Sequence, residues 1–458
     1  MPELPEVETV INILKPLVIN KEIKDIDIFF PRLIESNIND FYSLKNKKIL
    51  DITRYGKYIF FHFNEDYVLI VHLRMEGKFR YLNEFKRIKS TSLMFTFKDN
   101  TYLSYDDTRK FGIMYLSKES EYKELEMIKK LGIEANKVKN SDLPILYKKF
   151  NKNKVIKELL LDQTILCGIG NIYADETLYA SKINPLTKGK DLTQNDINNI
   201  VKNAKIILDK AILEGGSTIH SFHPSEGVDG KFQALLKCYG KEGELCPECS
   251  TTFHKTFVGG RGTTYCPNCQ IDKSLEKAIG ITGPIGSGKS TLLKHFKDLG
   301  YLVLSCDELV HELYKQYEHK VKVSRILGFS FDIDDLSKKQ KAREIMINDP
   351  LKKKKIEQYI YKVLEDLLIK YIKNNDKIAI EVPLLFKAHY EYMFKKIFVL
   401  KVNKNVQIEH LKSRNEFNIN NSLKLNNDYK YNKLEKVIEI ENNGDIVSLF
   451  NIVDKNIN

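Results

Sequence analysis

The groups that covalent chemistry at a sugar needs occur together in the first eight residues, Met1-Pro2-Glu3-Leu4-Pro5-Glu6-Val7-Glu8. Small second residues normally allow removal of the initiator methionine, which would leave Pro2 with a free secondary amine. An α-amino group titrates near pH ~8, so much of it is an uncharged nucleophile at neutral pH. Its attack on an aldehyde carbon gives an electron-withdrawing iminium, and Glu3 can give or take the proton. Alternatively, the prolines only stiffen a loop, and the glutamates form the acidic first turn of a helix.

Further candidate residues lie beside strand-like runs. Lys57 stands at a turn that opens a strand, although a lone lysine there is usually a solvated surface residue. Met75, Arg109 and Phe111 offer two apolar wedges and a planar cation. Such groups can fill the hole that a flipped base leaves in duplex DNA. The alternative is that Met75 and Phe111 are ordinary core residues.

A glycine-rich double turn separates two helical segments, Leu160–Gln163 and the segment that begins at Gly168 and continues through Gly170 and Asn171. Glycines let the backbone approach a phosphate, and the N-terminus of the following helix offers free N–H groups to it. This spacing favours DNA binding over an ordinary helical hairpin with a glycine cap.

Four cysteines form two Cys-x-x-Cys pairs, Cys246 with Cys249 and Cys266 with Cys269, separated by 16 residues. This spacing predicts a closed, tetrahedral, structural zinc site, whereas disulfides are the alternative. Between the pairs, Arg261 stands at a glycine-flanked hairpin tip. An arginine in that position can enter a groove and bind a phosphate through two hydrogen bonds.

A strand that starts at Lys277 runs into a Gly-x-x-x-x-Gly-Lys-Ser loop, which predicts a P-loop for ATP with Mg²⁺. Lys289 offsets phosphate charge, Ser290 ligates the metal, and Pro284 removes one N–H donor. The predicted ATP-binding residues of this loop are Gly283, Gly286, Ser287, Gly288, Lys289, Ser290 and Thr291.

Composition limits the class of protein. The 458 residues suffice for two to four domains, and the net charge of +12 suits a polyanionic partner. No uninterrupted apolar run reaches membrane-spanning length, and the polar, acidic start does not resemble a signal peptide. Seven cysteines with this spacing favour a reduced compartment. We therefore expect a cytoplasmic protein without a membrane segment, and a monomer.

The motifs from Pro2 to Cys269 resemble, in order, the formamidopyrimidine-DNA glycosylase family, which excises oxidised purines and nicks the strand. Leu4 agrees with this family, because relatives that prefer oxidised pyrimidines usually carry glycine there. The resemblance implies four catalytic residues: Pro2 as nucleophile, Glu3 as proton carrier, Lys57 as acid and phosphate contact, and Arg261 on the lesion phosphate, assisting the second elimination.

The same resemblance implies DNA contacts. Met75, Arg109 and Phe111 would fill the void, with Arg109 pairing to the orphaned base. Asn171 and an upstream lysine would bind the DNA strand. Either Lys154 or Lys157 could be this lysine, and we predict Lys154.

The sequence departs from the family pattern at two DNA-facing places. Ser90 stands where the family has a phosphate-binding histidine, so it can donate one hydrogen bond but cannot be cationic. The loop Gly215–Phe222 would close over the flipped base, with His220 where a basic residue is common.

The segment from Lys277 onward resembles dephospho-CoA kinase, which phosphorylates the ribose 3′-hydroxyl of dephospho-CoA. The resemblance implies Asp307 as the base and Arg414 as a lid arginine. Departures from the family pattern are Ser305 in an Asp-x-Asp motif, Tyr361 and Lys362 for a His-Pro pair, Lys387 for an acid, and Tyr429 and Asn432 at lid positions that are often basic.

We therefore predict a multi-domain fold: a β-sandwich domain over 1–132, a helix-two-turn-helix domain over 133–228, a zinc-finger hairpin over 229–271 and an α/β P-loop kinase domain over 277–458. The predicted function combines a DNA glycosylase/AP lyase for base excision repair with a dephospho-CoA kinase of coenzyme A biosynthesis. Two alternatives stay open: an active glycosylase with a degenerate nucleotide-binding domain, and a damaged-DNA binder with an active kinase.

Overall fold

The computed structural model describes residues 1–217, 232–413 and 435–457. It divides into two compact units, Met1–Gln270 and Ile271–Asn458. Across the described residues, no helix is both long and apolar enough to cross a membrane.

Two four-stranded antiparallel sheets form the first part of the first unit. Their strand orders are β1-β6-β7-β5 and β2-β3-β4-β8. The strands are β1 (Ile23–Ile28), β2 (Ile49–Tyr55), β3 (Tyr58–Phe63), β4 (Tyr67–His72), β5 (Lys78–Leu82), β6 (Thr91–Phe97), β7 (Tyr102–Asp106) and β8 (Ile113–Lys118). Alternate residues of both sheets share one core, which confirms the predicted β-sandwich.

Helix α1 (Leu4–Val18) covers this core. Val7, Val10, Ile11 and Leu14 recur at helical spacing and are all buried, so one face of the helix packs on the sheets. The short helices α2 (Ile38–Phe41) and α3 (Glu126–Lys129) complete this part.

The second part of the first unit is helical. Its elements are β9 (Ile133–Glu134), α4 (Leu143–Phe150), α5 (Ile156–Leu161), β10 (Leu166–Cys167), α6 (Asn171–Ala180) and α7 (Gln194–Leu213), with the antiparallel hairpin β11 (His254–Val258) and β12 (Arg261–Tyr265) after them. A capping box starts α7, since the Thr193 hydroxyl accepts from the Asp196 N–H at 3.1 Å and the Asp196 carboxylate accepts from the Thr193 N–H at 2.9 Å. Helix α6 leads directly out of the glycine-rich double turn.

The second unit has a five-stranded parallel sheet in the order β14-β15-β13-β16-β17. Its strands are β13 (Ala278–Thr282), β14 (Leu302–Ser305), β15 (Ile378–Glu381), β16 (Lys396–Lys401) and β17 (Val437–Glu441). Its helices are α8 (Lys289–Asp298), α9 (Cys306–Lys315), α10 (Tyr317–Leu327), α11 (Leu336–Asn348), α12 (Pro350–Asn374), α13 (Lys404–Ser413) and α14 (Ile446–Ile457). The continuous apolar run of β13 is buried throughout, as expected for a central parallel strand. The predicted α/β class is confirmed.

Candidate active sites

The amino terminus of the first unit lies buried against the start of α6. Glu3 is 3% exposed, and its carboxylate accepts hydrogen bonds from the backbone N–H groups of Gly170 (2.6 Å) and Ile172 (3.0 Å). Free N–H groups at a helix start favour a carboxylate. Burial nevertheless raises the pKa of Glu3 to about 7, while the Lys57 ammonium acts to lower it. The acid is therefore fixed in position and able to exchange a proton near neutral pH.

Pro2 is buried next to this acid. The structure includes Met1, so the terminal amine belongs to Met1 and the nitrogen of Pro2 is in a peptide bond. Burial lowers the pKa of the Met1 amine, whereas the carboxylates of Glu3 and Glu6 act to raise it. The predicted free amine of Pro2 therefore concerns the processed chain.

Glu6 is a buried acid whose position at this site the sequence did not reveal. It accepts hydrogen bonds from the Tyr173 hydroxyl at 2.6 Å and the Ser217 backbone N–H at 2.9 Å. Its second oxygen accepts from the backbone N–H of Glu3 at 2.8 Å, which fixes the backbone of the candidate acid. The only local signal was the three-residue spacing, which is typical of a capping box.

Lys57 is brought to the same place from the edge of the sandwich. It is 5% exposed, and its Nζ donates to the Ile169 carbonyl at 2.8 Å. Burial lowers the pKa of Lys57, Glu3 and Glu6 act to raise it, and the Arg261 guanidinium lowers it further. A buried lysine with a lowered pKa is a better proton donor than a solvated one.

A tight turn between β2 and β3 holds Lys57 in place. Gly56 has φ +59°, and its N–H donates to Glu134 Oε1 at 3.0 Å. Arg54 donates to Glu8 at 2.7 Å and also pairs with Glu134. A side chain at residue 56 would need a rarely adopted backbone conformation, so glycine suits this turn.

The predicted wedge residues are exposed on two loops. Met75 is 37% and Phe111 is 53% exposed, so neither is an ordinary core residue. The Arg109 guanidinium lies 5.1 Å from the centre of the Phe111 ring. The Asp107 carboxylate organises this loop, because it accepts hydrogen bonds from the backbone N–H groups of Phe111 and Gly112 at 2.9 and 2.8 Å.

These two loops are packed together over Tyr105, which is completely buried. A Cβ at Gly77 or Gly112 would lie 2.1 or 1.8 Å from the Tyr105 hydroxyl oxygen, so both loops need glycine there. Ser90, at the entry to β6, is half-buried, and its carbonyl accepts from the Asp107 N–H at 2.9 Å. The structure therefore places Ser90 at the base of the Arg109 loop.

The two candidate DNA-binding lysines, Lys154 and Lys157, differ in burial. Lys157 is completely buried, where its Nζ donates to Asp175 at 2.6 Å and to the Thr263 hydroxyl at 2.8 Å. Lys154 is 50% exposed and lies 3.5 Å from Glu158. Lys157 thus joins α5, α6 and the zinc hairpin, and Lys154 is the one open to a ligand.

Asn171, the first residue of α6, is tied to the hairpin. Its amide donates to the Gly262 carbonyl at 3.0 Å, and its Oδ1 is buried without a hydrogen-bond partner in the described ranges. Arg261 next to this carbonyl is exposed at the hairpin tip, where Gly259 and Gly260 have φ +55° and +74°. The hydrogen bond between Asn171 and Gly262 holds this tip beside the start of α6, where the Ile172 N–H binds the Glu3 carboxylate.

The four cysteines of the two Cys-x-x-Cys pairs form one cluster. All their Sγ atoms lie within 4.8 Å of one another, including Cys246–Cys269 at 3.8 Å and Cys249–Cys266 at 3.4 Å. Tetrahedral zinc with Zn–S distances of about 2.3 Å needs sulfur separations of about 3.8 Å, so the cluster fits the metal. All four thiols are free, which argues against the disulfide alternative. Zinc held here is structural, because four protein ligands leave no open position.

In the second unit, the P-loop adopts a nest-like conformation before α8. Gly283, Gly286 and Gly288 have φ +149°, +75° and +94°. A Cβ at Gly283 would lie 2.6 Å from the Leu400 carbonyl oxygen. Lys289 is buried, and its Nζ donates to the Pro284 carbonyl at 3.0 Å and lies 3.9 Å from the Glu381 carboxylate. Successive backbone N–H groups in such a loop form an anion-binding nest.

Two residues far away in sequence support this loop, and no local pattern predicted them. Gln407 donates to the Ile285 carbonyl at 2.8 Å, and Asn442 donates to the Ser287 carbonyl at 2.9 Å. Ser290 and Thr291 follow Lys289 in the first turn of α8, where Ser290 is exposed and can serve as the Mg²⁺ ligand of bound ATP.

Asp307, in the first turn of α9, lines a cavity of about 260 Å³ with mainly apolar and aromatic walls. Tyr361 also lines it, and burial raises the pKa of this tyrosine to about 12. The other acid of the cavity is Glu357, which lies 3.0 Å from the Nζ of Lys387. Lys362 instead pairs with Glu365 at 3.1 Å.

Several residues named from the sequence lie outside the described residues. They are His220 and the remainder of the predicted loop from 218 to 222, and Arg414, Tyr429 and Asn432 of the predicted lid.

The architecture defines two classes of protein in one chain. The first unit is of the class of DNA-binding enzymes that combine a β-sandwich, a glycine-turn helix and a zinc hairpin, and the second is a P-loop nucleotide-binding unit. Family models agree with both: the formamidopyrimidine-DNA glycosylase N-terminal domain matches residues 1–114, its H2TH domain 131–223, the zinc finger found in FPG and IleRS 243–271, and dephospho-CoA kinase 277–442.

The chain belongs to the formamidopyrimidine-DNA glycosylase family and carries an additional dephospho-CoA kinase domain. The formamidopyrimidine-DNA glycosylase of Lactobacillus gasseri is 42% identical over 273 residues, which are 59% of this chain and 99% of that protein. The enzyme of Bacillus cereus is 42% identical over 274 residues, with the same two shares.

Solved structures agree with this assignment. The Lactococcus lactis Fpg bound to DNA containing an abasic site matches with a TM-score of 0.55 and 37% identity, over 59% of this chain and all of that one. A mutant of the same protein with DNA containing Fapy-dG matches with the same TM-score and identity, over 59% of this chain and 99% of that one.

Proposed function

We propose that the first unit excises oxidised purines, such as 8-oxoguanine and formamidopyrimidines, from duplex DNA and then cleaves the strand by β,δ-elimination. The observation that carries this proposal is the burial of Glu3 and Lys57 together beneath the amino terminus. A base-excising lyase needs a nucleophilic amine, a proton carrier and a cationic acid at one carbon atom.

In the proposed mechanism, the base is flipped out and the amine of Pro2 attacks C1′ of the sugar. The bond between C1′ and the base breaks, and the base leaves with the electron pair. Glu3 protonates the ring oxygen as the ring opens, which gives the iminium of Pro2. Loss of a C2′ proton then expels the 3′ phosphate, and a second elimination expels the 5′ phosphate, with Lys57 and Arg261 as proton donors.

Borohydride trapping tests this mechanism, because only an iminium is reduced to a stable protein–DNA adduct. Processed protein and an 8-oxoguanine duplex should give one covalent adduct that maps to Pro2. The matched control is the same protein with an uncleaved extension before Pro2, which should bind the duplex without forming the adduct. Tight binding by the processed protein without any adduct would favour the alternative, a damaged-DNA binder.

We propose that the second unit transfers the γ-phosphoryl group of ATP to the 3′-hydroxyl of dephospho-CoA. The observation that supports it is Asp307, an exposed acid on the wall of a cavity that is partly open to solvent, in a unit that also carries the P-loop. Lys289 would neutralise phosphate charge, Ser290 would hold Mg²⁺, and Asp307 would accept the hydroxyl proton. Arg414 is proposed to steady the transferred group.

The test is CoA formation from Mg-ATP and dephospho-CoA by the full chain and by Asp307→Ala. Turnover in the wild type that is lost in the variant would support the kinase activity. ATP binding without turnover in the wild type would favour the degenerate nucleotide-binding alternative, and phosphorylation of another alcohol would reassign the substrate.

We propose the four-part division at 1–132, 133–228, 229–271 and 277–458, and a monomer that acts in the cytoplasm, where DNA, ATP and dephospho-CoA occur together. Size-exclusion chromatography with light scattering should give one chain of about the calculated mass of 53.3 kDa.

A further inference from the structure

The loop that carries Arg109 and Phe111 also carries Lys110, whose side chain reaches back to the entry of β6. Its Nζ donates to the Ser90 carbonyl at 2.8 Å and to the Ser92 hydroxyl at 2.8 Å. The cation also lies 5.5 Å from the centre of the Phe30 ring. The side chain is thus held at one place although Lys110 is only half-buried.

The backbone of Lys110 is in the left-handed region, with φ +58°. This conformation costs a residue other than glycine about 1–2 kcal/mol. It persists because Asp107 fixes the loop through backbone N–H groups on both sides of Lys110, those of Arg109 and Phe111. Residues held in such conformations often occur at functional sites.

Neither Ser90 nor Ser92 can carry a positive charge, whereas Lys110 places an ammonium directly beside both. An ammonium has three N–H donors, and the two hydrogen bonds to Ser90 and Ser92 leave one for a further acceptor. The carboxylate of Asp107 already accepts hydrogen bonds from the backbone N–H groups of Arg109 and Gly112, so we do not assign it as the acceptor for the third N–H of Lys110. Burial lowers the pKa of Lys110 and the Arg87 guanidinium lowers it further, whereas the carboxylates of Asp107 and Asp106 act to raise it, so charges of both signs flank the ammonium.

We infer that Lys110 binds a DNA backbone phosphate beside Ser90 and supplies the cationic contact that Ser90 itself cannot make. This inference rests on the proposed action of the first unit on duplex DNA. The loop would then have two tasks, with Arg109 and Phe111 entering the base stack and Lys110 holding the adjacent phosphate. Each neutralised phosphate releases condensed counterions, so the contact has a measurable salt signature.

The test measures the affinity of the full chain for a duplex with a central tetrahydrofuran abasic analogue, by fluorescence anisotropy at several KCl concentrations. Lys110→Gln should weaken binding roughly 10-fold at low salt, because a hydrogen bond to a charged group is lost. It should also reduce the slope of log Kd against log[KCl] by about 0.9. Lys110→Arg, which keeps the charge, should retain both values.

The matched control is Lys118→Gln. Lys118 is also half-buried and contacts an aromatic ring, that of Tyr67, but it lies at the far end of β8 from Phe111. That separation is about 20 Å of strand, well beyond the screening length at physiological salt. The slope and affinity of Lys118→Gln should equal those of the wild type.

Combining Lys110→Gln with Ser90→His provides a rescue. The imidazole should restore the steeper slope at pH 6, where histidine is largely protonated, more than at pH 8. An unchanged slope in Lys110→Gln, or equal losses in Lys110→Gln and Lys110→Arg, would overturn the inference and leave Lys110 as a loop-fixing residue. Salt-insensitive binding by the wild type itself would overturn the proposed action on DNA and this inference with it.

Discussion

The carboxylate of Glu3 is held by the backbone N–H of Gly170, at 2.6 Å, although 167 residues separate them in the chain. A Cβ at residue 170 would lie 2.2 Å from the carboxylate carbon of Glu3 and 2.4 Å from one of its oxygens. Glycine is therefore required at residue 170 by the close approach of the acid. The candidate catalytic acid and the start of α6 are consequently positioned as one structural unit.

Gly170→Ala should displace Glu3 and reduce the single-turnover excision rate by about 100-fold, since a misplacement of about 1 Å at a reacting group can cost that much. Affinity for a tetrahydrofuran duplex should change far less, because the exposed loops and Arg261 remain. Gly240→Ala is a control for the added methyl group: its φ of +77° makes the substitution strained, but no atom lies within 4 Å of the added Cβ, so it displaces no side chain. Equal rates in Gly170→Ala and the wild type would contradict the proposed role of Glu3.

The raised pKa of Glu3 predicts a pH-dependent stability. The folded-state pKa is about 7, against an ordinary value of 4.5, because burial disfavours the charged form. The folded protein thus binds the proton more tightly, and this contribution to the free energy of unfolding is complete below pH 4.5. It is lost as the pH rises through 7, by up to about 3 kcal/mol.

Glu3→Gln removes this contribution but keeps a carbonyl oxygen for the helix N–H groups. The free energy of unfolding of Glu3→Gln minus that of the wild type should therefore rise between pH 4.5 and 7 and stay level above pH 7. Urea titrations that follow zinc release report the first unit specifically. Glu84→Gln, at an exposed residue of that unit, should show no such pH dependence; a flat difference for Glu3→Gln would show that Glu3 titrates normally.

Local patterns in the sequence were sufficient where neighbouring residues determine the structure. The strand that was predicted from Lys277 is β13, the cysteine spacing predicted a zinc cluster that the structure assembles, and the glycines of the P-loop predicted the turn before α8. In each case the residues that determine the structure are close together in the sequence, or they follow a spacing that is typical of one kind of site.

Long-range pairing was not predictable in this way. The support of Ser287 by Asn442 links residues 155 positions apart, and the acid partner of Lys387 is a glutamate on α12. A single sequence does not reveal such pairs, because side-chain complementarity depends on which elements pack together. For the same reason the sequence offered both Lys154 and Lys157 as strand-binding candidates, and only their burial in the structure shows how they differ.

Lys154 and Lys157 should respond differently to substitution. Lys157→Met leaves Asp175 buried without its partner, which should cost about 3–5 kcal/mol of stability and lower the Tm of the first unit by about 10 °C. Lys154→Ala should leave the Tm unchanged but weaken duplex binding roughly 10-fold, through the loss of one phosphate contact. Calorimetry and anisotropy measure both effects. Wild-type affinity in Lys154→Ala would assign the phosphate contact elsewhere.

The second unit has a lysine at residue 387, where the family pattern has an acid. Lys387 lies 3.0 Å from Glu357, which lines the cavity of Asp307, so restoring the family acid with Lys387→Glu would place two carboxylates together. Both side chains are partly exposed, so the repulsion is about 1 kcal/mol or less, and the KM for dephospho-CoA should rise about 2- to 5-fold while the KM for ATP is unchanged. The reciprocal double variant, Lys387→Glu with Glu357→Lys, should return the KM to its wild-type value, because it restores the pair in the opposite sense. A lower KM in Lys387→Glu alone would show instead that an acid at residue 387 contacts the substrate directly.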